Sequence, residues 1–356
     1  MTHKHAPSES GEAFCTSGTS PTDASVCTVH LVGPGQVGQE FLRLLTAPFR
    51  LIGITDSSAT LHDRGGLDPV ALAALKAGGG SLRDVVGAES LPVDLATDLV
   101  GADVVVDATP TDVGSAERAV KRCLSVLRRG ASLALAAKDA VSVAGDRLLS
   151  GSHIDRVGIN AVLGGAGHAL RRELSDLRRD CVEVALVGNA STTAVVEKIE
   201  RGGTIEDGIR QAQDDGLLET DPELDLCGLD AAVKLVTVVG ALWGKQTPVD
   251  EVDCQHLRSL DEEELQRRFE SGATTRLVGR ADSAGQLRVA YEEVSQASPL
   301  AVPRSRVAYT YRLRDGQTRV HVGHGIGPRH TAQALLHDAR VFAAGSAHPR
   351  PRERAS

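Results

Sequence analysis

The sequence predicts an α/β protein in two parts: an open, parallel, helix-wrapped sheet, then an α+β region. Three features carry that prediction. A glycine-rich turn links a strand to a helix near the start of the chain. Continuous apolar strands alternate with helices up to about residue 150, as in a sheet covered on both faces. After about residue 270 the strands alternate apolar and polar residues instead, as in a sheet with one covered face. The 356 residues are enough for roughly two domains. At 41% hydrophobic and 3% aromatic the cores must be packed from Val, Leu and Ala.

Residues 1–24 are rich in Ser, Thr, Gly, Pro and His and read as a disordered tail. The first domain is placed at 25–155. It opens with a strand, Val29 to Val32, followed by Gly33, Gly35 and Gly38 in a G-x-G-x-x-G pattern and by a helix from Gln36. The pattern alone is weak, but strand before and helix after is the context it needs. Gly33 permits the tight turn and Gly38 lets the helix lie close to the strand. Gly35 lets the backbone amides of Gln36 and Val37 face a pyrophosphate at the positive helix end. The pattern therefore predicts a Rossmann-type dinucleotide site for NAD or NADP. A second strand, Arg50 to Thr55, ends at Asp56, 21 positions after Gly35. That spacing suits a carboxylate on the adenosine ribose; the lesser alternative is that Asp56 caps a turn. Asp56 favours NAD; Arg64 nearby could meet a 2′-phosphate and keeps NADP open. Gly78–Ala88 reads as surface loop around a short helix. The apolar strand Ala102–Asp107 runs into Thr109 and Pro110, a strand-end loop where α/β sheets place ligands. A helix follows over Ser115–Arg129. The strand Ser132–Ala136 brings Lys138 to the same carboxyl edge as the glycine turn.

The second domain is placed at 156–318, with 319–345 returning to pack on the first domain and 346–356 a disordered tail. Gly164, Gly165 and Gly167 form a turn before a helix at His168–Arg179. The strand Val182–Val187 ends at Gly188, Asn189, Ala190 and Ser191. That cluster can hydrogen-bond a substrate or cap a helix. Helices follow at Val195–Arg201 and Ile205–Leu217. The stretch from Glu219 to Lys234 reads E-T-D-P-E-L-D-L-C-G-L-D-A-A-V-K and opens a helix that is apolar almost all round, the mark of a buried helix. Asp230 and Lys234 stand four apart and so share a face of it. Desolvating two charges costs several kcal/mol per ion, so a pair kept in such a helix, beside Glu219 and Asp225, points to use. A charged helix over Asp261–Glu270, strands at Thr275–Gly279, Leu287–Glu293 and Arg306–Leu313, and a final helix at Thr331–Ala344 complete the chain.

The net charge of −8 argues against nucleic acid. No apolar run approaches the ~18 residues of a membrane span, and the N-terminus has no signal-like apolar region. Six scattered cysteines without a C-x-x-C read as reduced core residues of a cytoplasmic protein.

From about Val26 to Asp338 the chain resembles the catalytic part of the homoserine dehydrogenase family. The resemblance rests on V-G-P-G-Q-V-G, V-V-V-D-A-T-P-T, L-A-A-K, L-G-G-A-G, the acidic stretch through G-L-D-A-A-V-K-L, and G-H-G-I-G-P-R-H-T-A. It implies hydride transfer between a nicotinamide and L-aspartate 4-semialdehyde, giving L-homoserine, in a homodimer. Lys234 and Lys138 are then the proton-transfer candidates. Glu219, Asp225 and Asp230 would bind the substrate ammonium, and Gly188, Asn189 and Ser191 would line the pocket. Gly325 and Gly327 would come back against the cofactor. The chain departs from the family at Asn189-Ala190-Ser191, where N-G-T is usual, at His168, where proline is common, and at Asn160, where glutamate is common. The last change counts against the family's monovalent-cation site, and no other metal is assigned. No C-terminal regulatory domain is expected. The departures leave open a relative acting on another amino-aldehyde or hydroxy acid, or a nicotinamide binder without turnover.

Overall fold

The computed structural model describes residues 26–112, 114, 116–218, 222–324 and 327–346. The expected tails, apart from residue 346, which ends the last helix, lie outside the described residues, as do Glu219 and Gly325. In the first half, β1 (Cys27–Val32), α1 (Gln36–Leu44), β2 (Phe49–Thr55), β3 (Thr60–His62), α2 (Pro69–Ala77), α3 (Val93–Val100), β4 (Val104–Asp107), α4 (Ala116–Arg128), β5 (Ser132–Leu135), α5 (Asp139–Leu148) and β6 (Val157–Gly158) follow in order. The second half runs α6 (Gly167–Asp180), β7 (Cys181–Val187), α7 (Ala190–Glu200), α8 (Ile205–Asp214), α9 (Glu223–Leu226), α10 (Leu229–Trp243), β8 (Asp253–Cys254), α11 (Glu262–Glu270), β9 (Ala273–Asp282), β10 (Leu287–Ser295), β11 (Val307–Leu313), β12 (Thr318–Gly323) and α12 (Pro328–Ser346).

Two six-stranded sheets result. The first has the order β3-β2-β1-β4-β5-β6 and is parallel except at the β2–β3 edge. The second has the order β12-β11-β7-β9-β10-β8 and is antiparallel except where β8 joins β10. The strand order changes direction at β1 and β4, and the crevice outside their carboxyl ends is where such sheets bind ligands. Because β6 pairs with β5, the first sheet extends past the expected boundary at 155. Because β12 pairs with β11, only α12 of the 319–345 segment returns to the first sheet. That helix buries Leu335, Leu336, Ala339 and Phe342 in one core with Leu31, Phe41 and Val106.

Several elements, among them β3, α2, α3 and α5, fall where the sequence analysis assigns none. For α2 the signal was present: Asp68 accepts from the amides of Val70 and Ala71 at 2.9 and 3.1 Å, and proline follows it at the first helical position.

Helix α10 is the axis of the second core. All residues from Ala231 to Leu242 are buried, so no face is left for water. It crosses α5 with backbones nearly touching. A Cβ at Gly240 would stand 3.3 Å from both the carbonyl carbon and Cα of Gly145. This crossing lets the residue just before α5, Lys138, meet the first turn of α10. Replacing Gly240 with valine should therefore force the helices apart. About 1–3 kcal/mol of stability is expected to be lost, with turnover falling as well. Thermal melting alongside an activity assay reads both effects.

Candidate active site

Asp230, in the first turn of α10, accepts two cations, one on each carboxylate oxygen. Lys234 Nζ donates to Oδ2 at 2.6 Å, and Lys138 Nζ lies 3.3 Å from Oδ1. The i, i+4 spacing supplies the first contact and the α5–α10 crossing supplies the second. Lys234 Nζ also donates to the carbonyl of Gly188, at the end of β7. Gly188 leaves room for this: a Cβ there would press on Lys234 Cδ at 3.0 Å. The side chain of Lys234 is 10% exposed, against 25% for Asp230 and 26% for Lys138. The triad is thus closed on the α10 side and opens toward Lys138.

The charges respond to this setting. Burial alone would raise the Asp230 carboxyl, but the Lys234 and Lys138 ammonium groups outweigh it and bring it down to about 2. Burial lowers the Lys234 ammonium below its ordinary range; Asp230 opposes that and Lys138 adds to it. A buried lysine shifted toward neutrality can give or take a proton near neutral pH. Asp225, on α9, is half-buried and its charge also reaches Lys234.

The glycine turn forms the second part of the site. Gly33 has φ +84, and a Cβ on it would stand 2.7 Å from the amide of Thr109. A Cβ at Gly35 would meet nothing within 4 Å. Gly35 begins α1 with no side-chain cap, so the first-turn amides have no side chain to satisfy them. A cavity of about 420 Å³ is lined here by Gly33, Gly35, Asp56, Lys76, Thr109 and Pro110. Its floor of bare amides at a helix N-terminus fits a dinucleotide pyrophosphate. The loop reaches the triad through Thr111, whose Oγ1 accepts from the amide of Lys138 at 3.2 Å.

Two residues are engaged otherwise than as free ligands. Asp56 caps a turn: its Oδ1 accepts from Ser58 N, Ser58 Oγ and Ala59 N, while Oδ2 accepts from Lys76 Nζ at 2.7 Å. Burial would raise this carboxyl, but these donors, Lys76 first, hold it well below the usual range. Asn189 caps α7, accepting from Thr192 N and from Ser191 Oγ, so the side-chain oxygens of Asn189 and Ser191 are turned to the helix. The basic residue beside Asp56 is Lys76; Arg64 is exposed and does not line the cavity. Lys76 was missed because it sits in the last turn of α2, which the sequence reading did not place. Gly327, at φ +82, precedes α12 and its carbonyl accepts from Thr331 N. In the expected cation region, Asn160 Oδ1 accepts from His168 N. Among the described residues no group of three or more His, Cys, Asp or Glu could hold a metal, and no helix is long and apolar enough to cross a membrane.

Comparison with known proteins points one way. Residues 171–339 match the family model described as homoserine dehydrogenase. Homoserine dehydrogenase of Methanocaldococcus jannaschii is 26% identical over 87% of this chain and 96% of its own length. The NAD(+)-dependent homoserine dehydrogenase of Pseudomonas canavaninivorans is 26% identical over 84% of this chain and 88% of its own. Among solved structures, a hyperthermophilic archaeal homoserine dehydrogenase in complex with NADPH superimposes with a TM-score of 0.74 at 22% identity, covering 92% of this chain and 99% of that one.

Proposed function

The chain belongs to the homoserine dehydrogenase family, and from that premise we propose that it interconverts L-homoserine and L-aspartate 4-semialdehyde with NAD or NADP. The observation that carries the reading is the two-lysine clasp on Asp230, built from both halves of the chain and tied to the loop beside the glycine turn. Bound NAD(P) supplies the hydride acceptor in oxidation and the donor in reduction. The chain's own groups handle the proton. In oxidation the neutral amine of Lys234 takes the hydroxyl proton as the hydride leaves carbon. In reduction the Lys234 ammonium returns a proton to the developing alkoxide, which the charge of Lys138 also stabilises. Asp230 orients Lys234 and, with Asp225, offers negative charge to the substrate ammonium. Glu219 is assigned to the same task by resemblance. Gly188, through its carbonyl, holds Lys234 in place.

Homodimers in the cytoplasm are part of this proposal. The outer edge of the second sheet supports the first point, since β12 leaves Val320 and Val322 exposed beside an unpaired strand edge. Supplying purified protein with L-homoserine and NAD or NADP, while following reduced-cofactor absorbance, tests the reaction. Cofactor binding with turnover only on related amino alcohols would move the substrate; binding with no turnover at all would remove the activity.

The Asp56–Lys76 pair bears on cofactor choice. Lys76 offsets the carboxylate that would otherwise repel a 2′-phosphate. In the Lys76→Ala variant that charge is bare. NADP use should fall at least tenfold relative to NAD, read as the ratio of the two kcat/KM values. An unchanged ratio would remove Lys76 from cofactor choice.

A further inference from the structure

Beneath the strand-end loop lies a buried charge cluster that the proposed chemistry does not use. Asp107 ends β4, with its side chain 3% exposed. Its Oδ2 accepts from Arg122 Nη2, on α4, at 2.6 Å. Its Oδ1 accepts from Thr109 N at 3.1 Å and Thr109 Oγ1 at 2.6 Å. One carboxylate therefore joins a buried guanidinium to the loop that walls the crevice. The same Thr109 amide occupies the space in which a Cβ at Gly33 would fall, so loop and glycine turn are packed backbone to backbone.

We propose that Arg122 is a positioning residue for the cofactor: by bonding to Asp107 and holding its carboxylate in place, it fixes the Thr109–Pro110 loop against the glycine turn. A side chain this deeply placed needs partners for both oxygens; Arg122 supplies one and Thr109 the other. The other acid near Arg122 within the core, Asp139, directly follows Lys138 and is itself buried. Its carboxyl is pushed up by burial and by the charge of Asp107. Asp94, 3.7 Å from Arg122 Nη1, is half exposed and at the rim. Without Arg122, nothing it now supplies would offset the charge of Asp107 acting on Asp139. Asp107 would then lose the partner that fixes its Oδ2, and the loop would lose its fixed anchor on the crevice side.

The inference rests on the crevice being the NAD(P) site, and the experiment separates the two. Wild-type protein is titrated with NADH by nicotinamide fluorescence, then assayed for turnover; failure of the wild type to bind would strike the crevice assignment itself. With wild-type binding in hand, Arg122→Met and Arg122→Lys are compared. Arg122→Met is expected to raise the NADH Kd and the cofactor KM at least tenfold, with kcat at saturation within about threefold. Arg122→Lys should recover most of the affinity. A structural salt bridge alone would lower the melting temperature without that split. If Arg122→Met does not fold, Thr109→Val removes the Oγ1 half of the anchor while leaving the Thr109 amide bond and the Arg122–Asp107 pair in place, and should raise the Kd in the same direction by a smaller factor, about threefold or more. Wild-type affinity in a folded Arg122→Met protein, or in Thr109→Val, overturns the proposal.

Discussion

Lys234→Ala is expected to lose about 10²- to 10⁴-fold in kcat for L-homoserine oxidation, the range associated with removing a positioned acid–base group, while binding NADH as the wild type does. The reasoning starts from burial. Lys234 lies on a helix with no solvent face and reaches one acid and one carbonyl. Burial lowers its ammonium, so the neutral amine needed to take a hydroxyl proton is available at lower pH than for an exposed lysine. Alanine leaves on α10 only the carboxylate of Asp230, a far weaker base, to accept that proton. The glycine turn and Thr109 lie on other elements and keep their geometry, so cofactor affinity should hold. Activity within about tenfold of wild type would place the proton donor elsewhere.

Asp230→Asn should be nearly as damaging, and it carries a sign that can be checked. The carboxylate raises the Lys234 ammonium, whereas burial and Lys138 lower it. Removing the charge takes away the main opposing influence, and burial and Lys138 then outweigh the smaller upward pull of Asp225. Lys234 then deprotonates at still lower pH. The rising limb of the kcat/KM profile for oxidation, which follows the neutral amine, should move acidward. At its plateau kcat/KM should still fall, by about 10²-fold, because the substrate ammonium and both lysines lose their shared acid. Stability moves in a linked way. A lysine whose folded pKa is depressed binds fewer protons in the native state, so stability rises with pH between that depressed value and the ordinary lysine range near 10. The rise should be steeper in Asp230→Asn than in wild type. An alkaline shift of the rate profile would contradict the assignment of Asp230 as the group that holds Lys234 charged.

The parts that could be seen in the sequence are those where one physical demand dominates. Helix α10 was legible because its residues are apolar on nearly every side and its only charges are Asp230 and Lys234, and burial makes such a pair conspicuous. The glycine turn was legible because Gly33 answers both a positive φ and the close approach of Thr109. The last helix shares a core with Phe41 of the first half. What stayed hidden depends on contacts distant in sequence. Asp56 ends β2 as the spacing requires, yet its carboxylate is occupied by Ser58, Ala59 and Lys76. No spacing rule connects Asp56 to a lysine twenty positions on. The small polar run at Asn189–Ser191 fits a pocket or a helix cap equally well from its composition, and the structure turns its side-chain oxygens to α7. The clasp between Lys138 and Asp230 needed the α5–α10 crossing, which rests on two glycines, Gly145 and Gly240, far apart in the chain.

Chemical rescue gives the most direct reading of which lysine moves the proton. Lys234→Ala and Lys138→Ala would each be assayed for homoserine oxidation across a series of small primary amines at fixed pH. Turnover of Lys234→Ala should climb with the concentration of free amine base, by tenfold or more for amines that fit the vacated space, and Lys138→Ala should show no such response. Rescue of Lys138→Ala alone, with Lys234→Ala indifferent to amine, would put the proton on the other lysine and contradict the central role given to Lys234.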